Sequence, residues 1–205
     1  MKRLVIIVVL AVLAGFTSCK KDDGEEEDGG NVPEEVIPAA ISEAFRALMP
    51  IYSGITPPDI SGEYVSSPHT LTGTNGDGAN DVIGKVFADK YIAFIKDSNG
   101  KLLYSEKQGE SLQGVSDDVT VIVVGKSNQF TAYFITTGIS NGIRYKQSTL
   151  ISGTLTSAGI SGFHYAFIML EKGDDPDDTL VDVNTYRIFK DGDGLAVRNN
   201  WTSKQ

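Results

Sequence analysis

An all-β domain, in which antiparallel strands joined by short turns curl up and down into a barrel behind one short N-terminal α-helix, is the fold the sequence predicts. Three observations carry it. Strand-like runs rich in β-branched and aromatic residues follow one another from Glu63 to Phe189. Four turn clusters, Ser98-Asn99-Gly100, Lys126-Ser127-Asn128, Ser140-Asn141-Gly142 and Ser157-Ala158-Gly159, join neighbouring runs at hairpin length. One run, Ile143 to Leu155, is long enough to reach about 40 Å at about 3.3 Å per residue. Such a strand must bend, at Gly153 or at a bulge, as strands of a small barrel do. A two-sheet β-sandwich is the alternative, but closing eight strands on themselves also removes exposed edges.

The chain begins before that domain. Met1-Lys2-Arg3 is a positive start, and Leu4 to Ala14 is an unbroken apolar run of signal-peptide length. It is too short for a bilayer, which needs about 20 apolar residues. The run breaks at Gly15, and Thr17-Ser18 precede Cys19, the only cysteine. This arrangement resembles the lipobox of bacterial lipoproteins, in its relaxed form similar to that of Bacteroidetes, with Phe16 where the commonest lipobox has Leu. The resemblance implies that residues 1–18 are a signal peptide and that Cys19 carries acyl chains, palmitate among them. Two or more chains anchor a protein stably where one does not.

Residues 19–36 read as an acidic tether. Between 20 and 35 there are eight acids and two lysines, a composition that repels itself and cannot bury a core. Its position also resembles the acidic export signal of Bacteroidetes surface lipoproteins. That likeness implies an outer-membrane, lipid-anchored protein facing the cell exterior, with the membrane as its first partner.

The domain proper spans 37–205. Ile41, Ala44, Phe45 and Leu48 recur at helical spacing between Pro38 and Pro50, predicting an amphipathic helix of about ten residues that buries one side. Pro57-Pro58 then fixes an extended approach to the first strand. Strands are predicted at Glu63–Ser66, Val82–Ile95, Lys101–Glu106, Val119–Gly125, Phe130–Thr137, Ile143–Leu155, Phe163–Glu171 and Thr185–Phe189. In the seventh, Phe163, Tyr165, Phe167 and Met169 form one apolar face, and Ala166 and Ile168 belong to a second. One face fills the barrel, and the helix around Phe45 covers the other. A Gly62-x-Tyr64 start, the helix and an eight-strand meander together resemble the lipocalin-like (calycin) lipoproteins of Bacteroidetes, which have Trp at the third place. The resemblance covers residues 38–205 and implies a pocket inside the barrel.

Composition excludes several chemistries. A net charge of -9 repels polyanions, so nucleic acid is no partner. One cysteine and two histidines supply neither a disulfide nor a cysteine- or histidine-rich metal centre. No Gly-x-Ser-x-Gly elbow exists, since Gly159-Ile160-Ser161-Gly162 has the wrong spacing. His69 reads as a loop edge and His164 as a core histidine. The acids outside the tether sit mostly in turn-like clusters, whereas a glycosidase acid needs an enclosed apolar setting. We therefore expect no enzyme and no resident cofactor.

Two loops invite a hard cation such as calcium: Asn75, Asp77 and Asp81 in one, Asp191 and Asp193 in the other. Ala79, Val86 and Leu195 stand where further ligands belong, and turn formation explains both loops without a metal. Two functions stay open. One is binding of a small apolar or amphipathic ligand inside the barrel, with Phe130, Phe134, Tyr145 and Phe163 or His164 as inward candidates. The other is surface recognition of glycan or protein through loops and exposed aromatics, drawing on eight tyrosines and Trp201. A solvent-connected apolar interior of several hundred Å³ would favour the first, and a filled interior the second.

Overall fold

The computed structural model describes residues 39–109, 111–116, 119 and 121–201. The signal peptide, Cys19 and the acidic tether lie outside the described residues.

Helix α1, Ala39–Leu48, is followed by thirteen strands: β1 Ile55–Thr56, β2 Gly62–Ser66, β3 His69–Thr74, β4 Val86–Phe87, β5 Lys90–Lys96, β6 Leu102–Gln108 and β7 Ser111–Ser116, then β8 Ile122–Lys126, β9 Gln129–Ser140, β10 Ile143–Leu155, β11 Gly159–Lys172, β12 Tyr186–Asp191 and β13 Leu195–Arg198. All belong to one sheet, antiparallel except where β1 runs parallel to β8. The ladder runs β8-β9-β10-β11, passes through β12 and β13 to β3 and β2, and continues β5-β6-β7. β7 in turn lies against β9. The sheet is thus curled into a barrel, and its inner face encloses one core.

Several strands are broken in two, which is why thirteen segments make about eight passes. β2 and β3 are separated by Ser67-Pro68, and β12 and β13 by Gly192 to Gly194; the two broken passes pair side by side. β7 and β8 divide a third pass, one pairing β6 and the other β9. β10 has the predicted bounds and bends through register shifts at Lys146/Gln147 and at Ser152/Thr154, the latter astride Gly153.

The predicted strand Val82–Ile95 is corrected. Only β4 and β5 form, because Val82 to Lys85 turn back on Leu71: the Leu71 amide donates to Lys85 O, and the Gly84 amide to Leu71 O. β1, β3, β7 and β13 were not predicted. β3 has a single large apolar residue, and β13, four residues beside the turn at Gly192 to Gly194, is too short to show a period.

Alternation assigns the faces. Inside lie Ile92 and Phe94 of β5, Tyr104 of β6, Phe130 and Phe134 of β9, Ile151 of β10, Phe163 and Tyr165 of β11 and Phe189 of β12. Outside, Phe45 and Met49 pack on Tyr133, Leu150, Ala166 and Ile188. Phe45 meets Tyr186 edge to face at 5.5 Å, and truncating so buried a ring to alanine costs about 3–5 kcal/mol. The helix therefore covers the second apolar face as predicted, with one correction. Leu48 is 42% exposed, and Met49 takes its place. The helix end comes close enough to β3 that a Cβ on Gly73 would lie 2.8 Å from Leu48 Cδ1, so a larger residue there would displace the Leu48 side chain.

Candidate functional site

Along the inner face the residues change character from one end of the barrel to the other. β5 reads Lys90-x-Ile92-x-Phe94, β6 reads Leu102-x-Tyr104-x-Glu106-x-Gln108, and β10 reads Tyr145-x-Gln147-x-Thr149-x-Ile151. With alternate residues inward, the apolar members of each series share one end, and Lys90, Glu106, Gln108, Tyr145 and Gln147 share the other. The apolar end is filled. At the polar end remains a partly enclosed pocket of about 140 Å³.

Its floor is a buried ion pair. Lys90 Nζ lies 2.9 Å from Glu106 Oε2, with side chains only 4% and 1% exposed. The same carboxylate oxygen accepts hydrogen bonds from Tyr104 Oη at 2.6 Å and Tyr165 Oη at 3.2 Å. Gln147 Nε2 donates to Tyr165 Oη and to Thr149 Oγ1, and Thr149 meets Thr136 Oγ1. The Lys90 ammonium stands 4.8 Å above the Tyr165 ring. Such donors and rings satisfy the two charges, without which burial would be prohibitive.

The walls are aromatic and apolar: Phe87, Phe167, Phe189 and Met169 from the sheet, and Leu180 and Val181 from the β11–β12 connection. Phe167 and Phe189 lie nearly parallel, 6.5 Å apart. Tyr145 completes the wall, folded so tightly on β9 that a Cβ at Gly138 would sit 2.7 Å from its hydroxyl. The covering connection is tied down at its base. Lys172 Nζ lies 2.9 Å from Asp182 and 3.4 Å from both Asp175 and Asp178. Asp175 in turn accepts the Thr179 and Leu180 amides.

Burial sets the protonation states. It pushes the Tyr104 and Tyr165 hydroxyls well above the ordinary phenol value, and the Glu106 charge adds to this. Both remain donors. Tyr145 is raised by the same two causes. Burial, reinforced by the Lys90 ammonium, holds His69 well below the ordinary imidazole value, so its ring is neutral at pH 7.

The predicted site residues fall out as follows. Phe130, Phe134 and Phe163 belong to the filled core, and Tyr145 lines the pocket. His69 is corrected from a loop edge to the buried first residue of β3, stacked on Phe189 at 4.3 Å with Nδ1 3.2 Å from Ser66 Oγ. His164 is corrected from the core to the outer face, with Nδ1 2.9 Å from Gly162 O. Lys90, Glu106 and Gln147 went unpredicted. Their signal was present, since each stands two residues from a core aromatic or aliphatic on the same strand parity.

In the two cation loops the side-chain oxygens of Asn75, Asp81, Asp191 and Asp193 are engaged by the protein. Asn75 bridges Asn184 O and the Tyr186 amide, while Asp81 binds Arg187 Nε at 2.8 Å and Thr74 Oγ1 at 2.9 Å. Asp77 is exposed. Asp191 accepts the Ser67, Asp193 and Leu195 amides. Burial, with its bond to the Asp193 carboxyl, pushes the Asp191 carboxyl up, and that same bond lowers Asp193. Among the described residues no three His, Cys, Asp or Glu side chains gather as a metal centre would require.

The aromatic platform is also corrected. Five of the eight tyrosines are buried and the other three half-buried, and Trp201 is buried with Nε1 donating to Ile92 O. Strand alternation consumed the aromatics in packing.

Fold and site together define an all-β, barrel-like chain with a polar-floored, aromatic-walled pocket at one end. Compared with protein families, curated proteins and solved structures, the chain matches none.

Proposed function

We propose that this chain is a non-enzymatic, lipid-anchored protein of the outer-membrane surface that holds a small amphipathic ligand in the pocket at the polar end of its barrel. The carrying observation is that pocket: about 140 Å³ remaining between aromatic walls and a buried Lys90–Glu106 pair. It is smaller than the several hundred Å³ expected of a hollow barrel, so the ligand is correspondingly small. The N-terminal sequence supports the anchor, and the curled meander supports the likeness to lipocalins.

The floor favours binding over catalysis. Its acid is held by a lysine and two tyrosines at one oxygen, and its histidine is stacked on Phe189. A second reading, docking of a protein partner through loops, is favoured by exposed Val82, Ile83 and Val86. Native mass spectrometry of the full chain released from detergent tests the first: a copurified small molecule, lost on Lys90→Met, is expected. A bare mass from every preparation and no uptake from a small-molecule extract would refute it. Cys19→Ala should abolish metabolic lipid labelling; retained labelling would refute the anchor.

A further inference from the structure

We propose that the pocket selects uncharged, single-ring amphiphiles of the phenol class, an inference that rests on reading the pocket as a binding site. Size comes first. At about 140 Å³ the space matches a cavity of about 150 Å³ that accommodates one benzene. A long acyl chain does not fit, because Phe94, Phe134 and Tyr104 fill the barrel beneath, Tyr104 and Phe134 being only 4.2 Å apart.

Charge comes second. The pocket floor already contains one cation and one anion, 2.9 Å apart and almost without solvent. His69 beside them is neutral, and Arg187 is committed to Asp81. A ligand charge entering this setting would lose solvent without gaining a counter-ion, which weakens its binding relative to an uncharged ring. A hydroxyl meets no such penalty. Tyr145, Gln147, Gln108 and Ser140 line the polar side and can exchange hydrogen bonds with it. Phe87, Phe167 and Phe189 suit the faces and edges of one ring. Leu180 and Val181 complete the cover.

The methionines provide the readout. Met169 lines the pocket, whereas Met49 lies outside the barrel under the helix. The full chain, labelled with ¹³C-methyl methionine and held in a mild detergent, is titrated separately with phenol, p-cresol, benzoate, benzylammonium and palmitate. Phenol and p-cresol should shift the Met169 methyl signal saturably and leave Met49 unmoved. Benzoate and benzylammonium should bind at least about tenfold more weakly, a difference of about 1.4 kcal/mol, and palmitate should not act on Met169.

Charged rings binding as tightly as phenol, or palmitate binding in place of phenol, would overturn the ligand class while leaving a binding site. If none of the five moves Met169, the binding reading itself falls, and this inference with it. Glu106→Gln leaves the ammonium without its partner, so preference should swing about tenfold towards benzoate. An unchanged preference in the folded variant would overturn the charge argument; should that variant not fold, the wild-type series decides alone.

Discussion

Lys90→Met isolates the most consequential interaction inside the barrel. Methionine keeps most of the lysine stem, so packing on Tyr165 is largely retained while the ammonium is deleted. Glu106 is then a buried carboxylate whose Oε2 keeps Tyr104 and Tyr165 as donors but has lost its counter-charge. Removing one partner of a buried pair costs about 3–5 kcal/mol, and the lost contact between the ammonium and the Tyr165 ring at 4.8 Å belongs to the same event. Urea unfolding of wild type, Lys90→Met, Glu106→Gln and the double variant closes a thermodynamic cycle. We expect each single change to cost about 3 kcal/mol or more, with the double variant recovering most of that loss because neither charge is left unpaired. The dependence on urea should keep its slope, since the surface exposed on unfolding is unchanged. Single losses under about 1 kcal/mol, or losses that simply add, would refute the reasoning.

The other expectations concern pH, the pocket cover and the floor. Asp81 is lowered chiefly by its bond to Arg187, so it stabilises the fold above its unfolded value of about 3.9 and loses that contribution as pH falls through the lower folded value; Asp81→Asn should flatten the acid limb of stability below pH 4, and an unchanged limb would count against the pair. His69, also lowered, binds a proton in the unfolded chain first, so stability should decline as pH drops below about 6.5; its ring signals in NMR should stay unshifted between pH 7.5 and 6, and an ordinary titration there would contradict its burial. Lys172→Met should speed hydrogen exchange at the Thr179 and Leu180 amides while leaving β9 and β10 protected, and equal exchange would deny Lys172 its role in fixing the cover. Lys90→Met/Glu106→Leu/Gln147→Leu should fold with equal or up to about 4 kcal/mol greater stability and lose phenol binding; retained binding would show that the floor makes no contact with ligand.

Much of this fold was legible because it depends on short-range signals. The four turn clusters all close hairpins, Ser127 and Asn141 adopting positive φ where tight turns need it. The bounds of β10 and the two faces of β11 followed from alternation alone. The broken passes were illegible for the opposite reason. β3 is held by β12 in long-range pairs such as Leu71 with Phe189, and its own sequence, His-Thr-Leu-Thr-Gly-Thr, has a single large apolar residue. The site suffered similarly. Lys90 and Glu106 read as ordinary polar strand residues until β5 and β6 are placed in register, Ile92 opposite Glu106, and both series are seen to point inward.

That register also bears on why the polar end exists. A buried ion pair gains little or nothing over apolar residues of the same volume, so Lys90 and Glu106 do not make the barrel more stable than a filled one would be. The opposite end shows that this chain can fill a barrel: Phe94, Tyr104, Phe130, Phe134 and Phe163 are all 2% exposed or less. Two satisfied charges, a glutamine and three tyrosine hydroxyls at one end therefore mark a space kept polar and partly open without benefit to folding. The covering loop points the same way. Lys172 with three aspartates and the Asp175 amide bonds order a segment that places Leu180 and Val181 over this space. Ordering a loop costs conformational entropy, and with the core already closed beneath the floor, the remaining gain from that ordering is the shape of the pocket.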